Sequence, residues 1–149
     1  DQSKFIPKHS TDRSTDKSTL RNEIEVIDWV YTKAQNKGFK AYNYIPSVYD
    51  FPYQYLYWWH GKEKFGYHPE VLTYLDGVPE YIKDNEKFLT LKKPTEDSTI
   101  FLIYEPDGES SERLFAWLGN FTKYCTVEKE TFAWGTTAEL RKLCPNPQP

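Results

Sequence analysis

The chain has 149 residues, 19 basic and 22 acidic for a net charge of −3, with 5 Trp, 12 Tyr, 9 Phe and 2 Cys. That length suits one domain burying about two-thirds of its unfolded surface, and the ring content describes a polar globular domain with an aromatic core rather than a disordered chain. No apolar run reaches the roughly 18 residues of a membrane span, and a pI near 5.7 leaves no electrostatic footprint for nucleic acid or anionic lipid.

The sequence starts at Asp1 without Met and without a charged-then-apolar leader, which reads as a processed protein or an excised piece. Residues 1–18 are rich in Ser, Thr, Asp and Lys, with Phe5 and Ile6 the only large apolar residues, and read as a flexible linker or arm. Residues 19–144 then form a single α/β domain and 145–149 a tail. Ile24, Ile27, Val30, Tyr31 and Ala34 recur at helical spacing, predicting a helix over 20–36 with Gly38 just past its end. Residues 39–45, closed by Pro46, read as a strand buried on both faces. Asp50 before Phe51 and Pro52 is a helix start and Gly61 a stop, so 52–60 is predicted helical. Such a segment carries rings on every side, and a helix aromatic all round is mostly covered.

Gly66, Pro69, Gly77, Pro79 and Pro94 interrupt residues 61–98, leaving a short helix over 69–75 and a strand over 87–91. The apolar run 99–104 predicts a central strand, followed by the turn Glu105-Pro106-Asp107-Gly108. Leu114, Phe115, Leu118 and Phe121 predict an amphipathic helix over 112–121, capped by Ser110 or Ser111. Residues 126–132 and 137–143 flank a turn at Trp134-Gly135, the second segment reading equally as strand or helix. If both are strands, symmetric placement about that turn sets Cys125 directly opposite Cys144, within disulfide range. The alternative is two reduced, buried thiols; a bond points to an oxidising, extracytoplasmic compartment. The element order predicts an α/β fold: a small sandwich with a central, mostly parallel sheet, flanking helices and a C-terminal antiparallel hairpin.

In a parallel sheet the loops after the strands share one edge, which places Tyr49 and Asp50 beside Glu105 and Asp107. Carboxylates flanked by Tyr could do acid–base work on a sugar. Against this, Asp50 fits a helix cap and Glu105 to Gly108 an acidic surface turn. A second set, Tyr53, Tyr57, Trp58, Trp59 and Tyr67 beside Asp50, Gln54 and His60, reads as a carbohydrate platform whose flat rings cover a pyranose. The same spacing fits core packing. His60 and His68 do not share a helix face, and the Cys pair has no zinc or redox spacing, so neither metal nor cofactor is expected. There is no Gly-x-Ser-x-Gly elbow or phosphate loop, and the Asn120-Phe121-Thr122 sequon matters only in a glycosylating pathway.

Three stretches carry a resemblance: residues 25–31 (EVIDWVY), residues 49–62 (YDFPYQYLYWWHGK) with Phe65-Gly66-Tyr67, and residues 101–106 (FLIYEP) with Trp117-Leu118 and 135–141. Together they resemble the soluble tail of bacterial polytopic membrane proteins related to protein-mannosyltransferase and lipid A aminoarabinose-transferase enzymes. The likeness spans about residues 20–142, residues 49–62 being its specific part. The long stretch 72–90 and the pair Cys125 and Cys144 depart from it. The resemblance implies an extracytoplasmic α/β domain after the last membrane span, periplasmic or at the cell surface. In such enzymes the catalytic acid lies in an external loop of the membrane part, which uses a polyprenyl-phosphate-linked sugar. No residue here matches that loop, so no catalytic residue is assigned. The implied role is acceptor recognition or docking onto the membrane portion of the parent protein, with a glycan or glycolipid as ligand and no nucleic acid. A free secreted carbohydrate-binding module is the alternative reading, and a small secreted hydrolase using Asp50, Glu105 and Asp107 a third.

Overall fold

The computed structural model describes residues 12–46, 51–77, 90–92, 99–108, 111–132 and 135–146. The fold is α/β: helices packed on a five-stranded mixed sheet. Helix α1 (Asp12–Ala34) leads into β1 (Lys40–Tyr44), α2 (Phe51–Leu56), a π-helical turn (Tyr57–Gly61) and α3 (Lys62–Phe65). Then come β2 (Val71–Thr73), β3 (Thr99–Tyr104), α4 (Ser111–Leu118) with a 3₁₀ turn (Gly119–Phe121), β4 (Tyr124–Thr131) and β5 (Thr137–Leu143).

The strands lie in the order β2-β1-β3-β5-β4. β1 pairs parallel with β2 and β3, whereas β5 pairs antiparallel with β3 and β4. The sheet is therefore evenly mixed, not mostly parallel. Residues 137–143 form a strand because they fill the slot between β3 and β4, where both edges of their backbone find partners.

Alternation along the strands divides the interior into two cores. Ala41, Phe101, Ile103, Ala138 and Leu140 meet α1, α2 and the π turn on one side. Tyr42, Tyr44, Ile100, Leu102 and Tyr104 meet Trp117 and Phe121 on the other. Tyr31 is the hub of the first core, stacked on Phe65 at 4.6 Å and edge-on to Phe39 and Tyr67 at 5.1 Å. Its hydroxyl donates to the Tyr67 carbonyl at 2.7 Å, so the buried ring brings no unpaired polar group with it.

Several elements differ from the sequence reading. Residues 12–18, predicted as linker, are the first turns of α1. That helix stops at Ala34, because Gln35 and Asn36 turn left-handed at φ 53° and 63°, a conformation Asn tolerates. Gly61 does not end the aromatic helix, which continues to Phe65 and stops at Gly66, φ 88°. Gly61 is there for proximity instead: a Cβ on it would lie 2.5 Å from Tyr31 Cε2 and Oη. Residues 71–73 are a strand and not part of a helix; β-branched Val71 and Thr73 suit the pleat beside β1. Most of the predicted strand 87–91 lies outside the described residues, although Leu91 bridges to His68.

Cys125 and Cys144 are disulfide-bonded, yet they are not directly opposite. Thr131 faces Thr137, a register already one residue off the symmetric one, and a bulge between Thr126 and Glu128 shifts it by one more, so Cys125 faces Lys142 and Cys144 lies two residues beyond. The Cys144 N–H donates to the Lys123 carbonyl at 2.9 Å, bringing the two Cα atoms to 4.9 Å. No helix among the described residues is long and apolar enough to cross a membrane.

Candidate functional site

The aromatic segment separates into buried and exposed rings. Tyr53, Tyr57 and Tyr67, predicted as platform residues, are fully buried in the α1-side core and offer no face to a surface ligand. Their positions between α1 and the sheet give each ring neighbours on both sides. Trp58 is half-buried against the His68 ring at 5.4 Å. His68 Nδ1 accepts the Thr90 N–H at 3.0 Å, which leaves Nε2 to donate to the Trp58 carbonyl at 3.3 Å. Burial lowers the His68 pKa, opposed by that carbonyl, and the neutral ring serves as a structural bridge.

Trp59 remains on the surface at 44 % exposure, joined by Tyr55 at 63 %. Their rings are 6.3 Å apart and inclined by 29°, an offset stack of near-parallel rings. Four-residue spacing places the pair on one face across the start of the π turn at Tyr57, whereas Trp58 packs on His68. Extra-residue turns of this kind recur at functional sites. Beside the pair, His60 Nε2 meets Asp28 Oδ1 at 2.7 Å, and Lys64 Nζ meets Asp28 Oδ2 at 2.7 Å. One carboxylate from α1 thus fixes two cationic or donor groups at the edge of an aromatic surface. Tyr55, Asp28 and Lys64 were not among the predicted site residues. The Tyr55/Trp59 spacing was a usable signal; the reach of Asp28 from another helix was not.

Tyr49 and Asp50 lie outside the described residues. Glu105 and Asp107 share the edge predicted for them, since both follow β3, but they do not form a pair. Glu105 accepts from Tyr53 at 3.2 Å on the α1 side. Asp107, its side chain buried, accepts from the Tyr44 hydroxyl and pairs with Arg113 of α4 at 2.9 Å. Burial and the neighbouring Asp107 push the Tyr44 phenol up to about 12. The two acids therefore serve opposite sides of the sheet, which is not the arrangement of an acid–base pair acting on one sugar.

A different carboxylate pair exists. Glu23 of α1 is pushed up to about 7, by burial first and by the charge of Glu105 second. Glu105 is itself raised by burial, partly offset by the Tyr53 hydrogen bond. Thr136 hydrogen-bonds Tyr53 and accepts from Asn22 Nδ2 at 3.4 Å, so the pair sits in a continuous polar chain behind the sheet. Desolvated and adjacent carboxyls hold a proton near neutrality. Tyr53, which closes this cluster, is fully buried, and the arrangement can store a proton more readily than it can receive a substrate.

Among the described residues no group of three or more His, Cys, Asp or Glu is placed to hold a metal ion. In comparisons with known proteins, no family model matches the chain, and neither a curated protein nor a solved structure matches it significantly.

Proposed function

We propose that this chain is a non-catalytic extracytoplasmic domain of a membrane glycosyltransferase-like protein, contributing acceptor recognition or docking. The observation that carries the reading is the exposed Tyr55–Trp59 pair bordered by the His60–Asp28–Lys64 group. An exposed ring face of such a stacked pair covers the apolar face of a pyranose, and the flanking donors orient its hydroxyls. The resemblance of residues 49–62 to the tails of polyprenyl-phosphate-sugar transferases supplies the enzyme class. The Cys125–Cys144 bond supports an oxidising compartment. In this reading the helices and sheet make a small sandwich closed by a C-terminal hairpin, tethered to the membrane portion of the parent protein.

Two measurements test it. The gene on the 5′ side of the Asp1 codon is expected to encode several apolar stretches of about 18 residues or more. A single cleavable leader in their place would overturn the tethered reading in favour of a free carbohydrate-binding module. In the full-length protein, Trp59→Ala is expected to lower transfer to acceptor about tenfold in kcat/KM, with unchanged folding. Equal activity of wild type and Trp59→Ala would remove the platform from the proposal.

A further inference from the structure

A cleft of about 420 Å³ opens where β1 and β2 end, on the α4 side of the sheet and away from the Tyr55–Trp59 surface. Its volume falls in the ~300–1,000 Å³ range of small-molecule sites. Tyr44, Tyr74 and Trp117 form one wall and Pro46 a second, while Arg113 and Asn120 supply polar groups. The three rings are mutually tilted with centroids 5.5–6.3 Å apart. At 40 % exposure Tyr74 is the most open of the three rings, against 5 % for Tyr44 and 2 % for Trp117.

The hydrogen-bonding capacity left over defines that occupant. Trp117 Nε1–H is committed to the Tyr74 carbonyl at 2.9 Å. Asn120 Nδ2 donates to the carbonyls of Ala116 and Trp117 at 3.2 and 2.9 Å, which leaves its Oδ1 as an acceptor. Arg113 gives Nη2 to Asp107 and keeps Nη1 and Nε, on a side chain 63 % exposed. The guanidinium charge is already matched by the buried Asp107 carboxylate, so the cleft offers donors and an acceptor but no net charge. An anionic ligand gains little there. A ring with one apolar face and several hydroxyls satisfies every feature.

We propose that this cleft is a binding site for a neutral hexopyranoside, stacked on Tyr74 and hydrogen-bonded by Arg113 and Asn120. The inference rests on the glycan-recognition reading and adds to it the substrate class and a second site. Because Trp117 Nε1–H is bonded to the Tyr74 backbone, its indole resonance reports on whatever touches Tyr74.

The test is an NMR titration of the chain with methyl α-D-mannopyranoside, methyl β-D-glucopyranoside and sodium glucuronate. The neutral glycosides are expected to shift the Trp117 indole signal saturably, with a Kd on the order of 1 mM, and glucuronate no more tightly. Tyr74→Ala and Arg113→Gln should each weaken binding about tenfold or more. Should Arg113→Gln fail to fold, the exposed Tyr74→Ala still decides the matter. Absence of a saturable shift with both neutral glycosides, tighter binding of glucuronate, or unchanged affinity in Tyr74→Ala would each overturn the proposal. Trp59→Ala separates the two readings: glycan binding lost there while the Trp117 signal never moves defeats the cleft but leaves the platform standing.

Discussion

Glu23, on α1, and Glu105, just beyond β3, bring two carboxyl groups into one desolvated cluster, and the charge of Glu105 helps raise Glu23 to about 7. Tyr53 donates to Glu105 from the same cluster.

A raised carboxyl pKa means that the folded state holds a proton the unfolded chain has released. The stability this supplies is fully present below about pH 4.5 and is lost as pH rises toward 7. Glu23→Gln removes that dependence. Its melting temperature is expected to exceed wild type at pH 8, by an amount worth on the order of 1–2 kcal/mol after allowance for partial exposure, and to match wild type near pH 4.5. Parallel Tm profiles for the two proteins across that range would show that Glu23 ionises freely. Glu139 works in the opposite sense. Although burial raises it, hydrogen bonds from Thr126, Arg141 and Tyr104 outweigh burial and hold it low, so its contribution is lost toward acid pH in both proteins.

Gly61→Ala places a methyl group against the ring and hydroxyl of Tyr31. Tyr31 is held by Phe39, Phe65 and Tyr67 and by its own hydrogen bond, so it has nowhere to retreat. Overpacking of this kind costs about 1–3 kcal/mol. Urea denaturation should show the loss in the midpoint with an unchanged m-value. A wild-type midpoint would mean that the π turn can open without cost.

Removing the disulfide should act through the unfolded chain. Cys125 and Cys144 enclose a separation of 19 residues, for which chain entropy gives about 3 kcal/mol. Cys144→Ser and reduction of wild type are expected to lower stability equally, with no further effect of reductant on the variant. A variant still sensitive to reductant would point to different chemistry.

Asn43 is fully buried in β1, and neither its Nδ2 nor its Oδ1 has a hydrogen-bond partner among the described residues. An unpaired buried amide is expensive, and an apolar residue of similar size avoids the desolvation. Asn43→Val should therefore raise stability by about 1 kcal/mol, β-branching also suiting the strand. A destabilised Asn43→Val, measured by the same denaturation, would reveal that the amide is bonded in solution.

The strands 39–45 and 99–104 and the amphipathic helix near 112–121 were legible in the sequence because each is signalled locally, by apolar runs, capping residues and turn formers. The observed β1 and β3 fall within those bounds, and α4 with its 3₁₀ turn begins one residue earlier, at Ser111, and ends with them at Phe121. The Cys pairing was legible too, through its near-symmetry about a turn, but the strand register and the bulge that together make it diagonal were not. β2, three residues long, is too short for any periodicity to register; it exists because β1 offers it an open edge. The sequence by itself determined an α/β chain with an aromatic core, since ring content, spacing and punctuation are properties of neighbours along the chain. Only the tertiary structure decided which rings were core and which were surface, that Gly61 accommodates Tyr31, and that Glu105 joins Glu23 while Asp107 joins Arg113. Those outcomes depend on which face of the sheet each helix covers, and that choice is settled by packing between segments far apart in sequence.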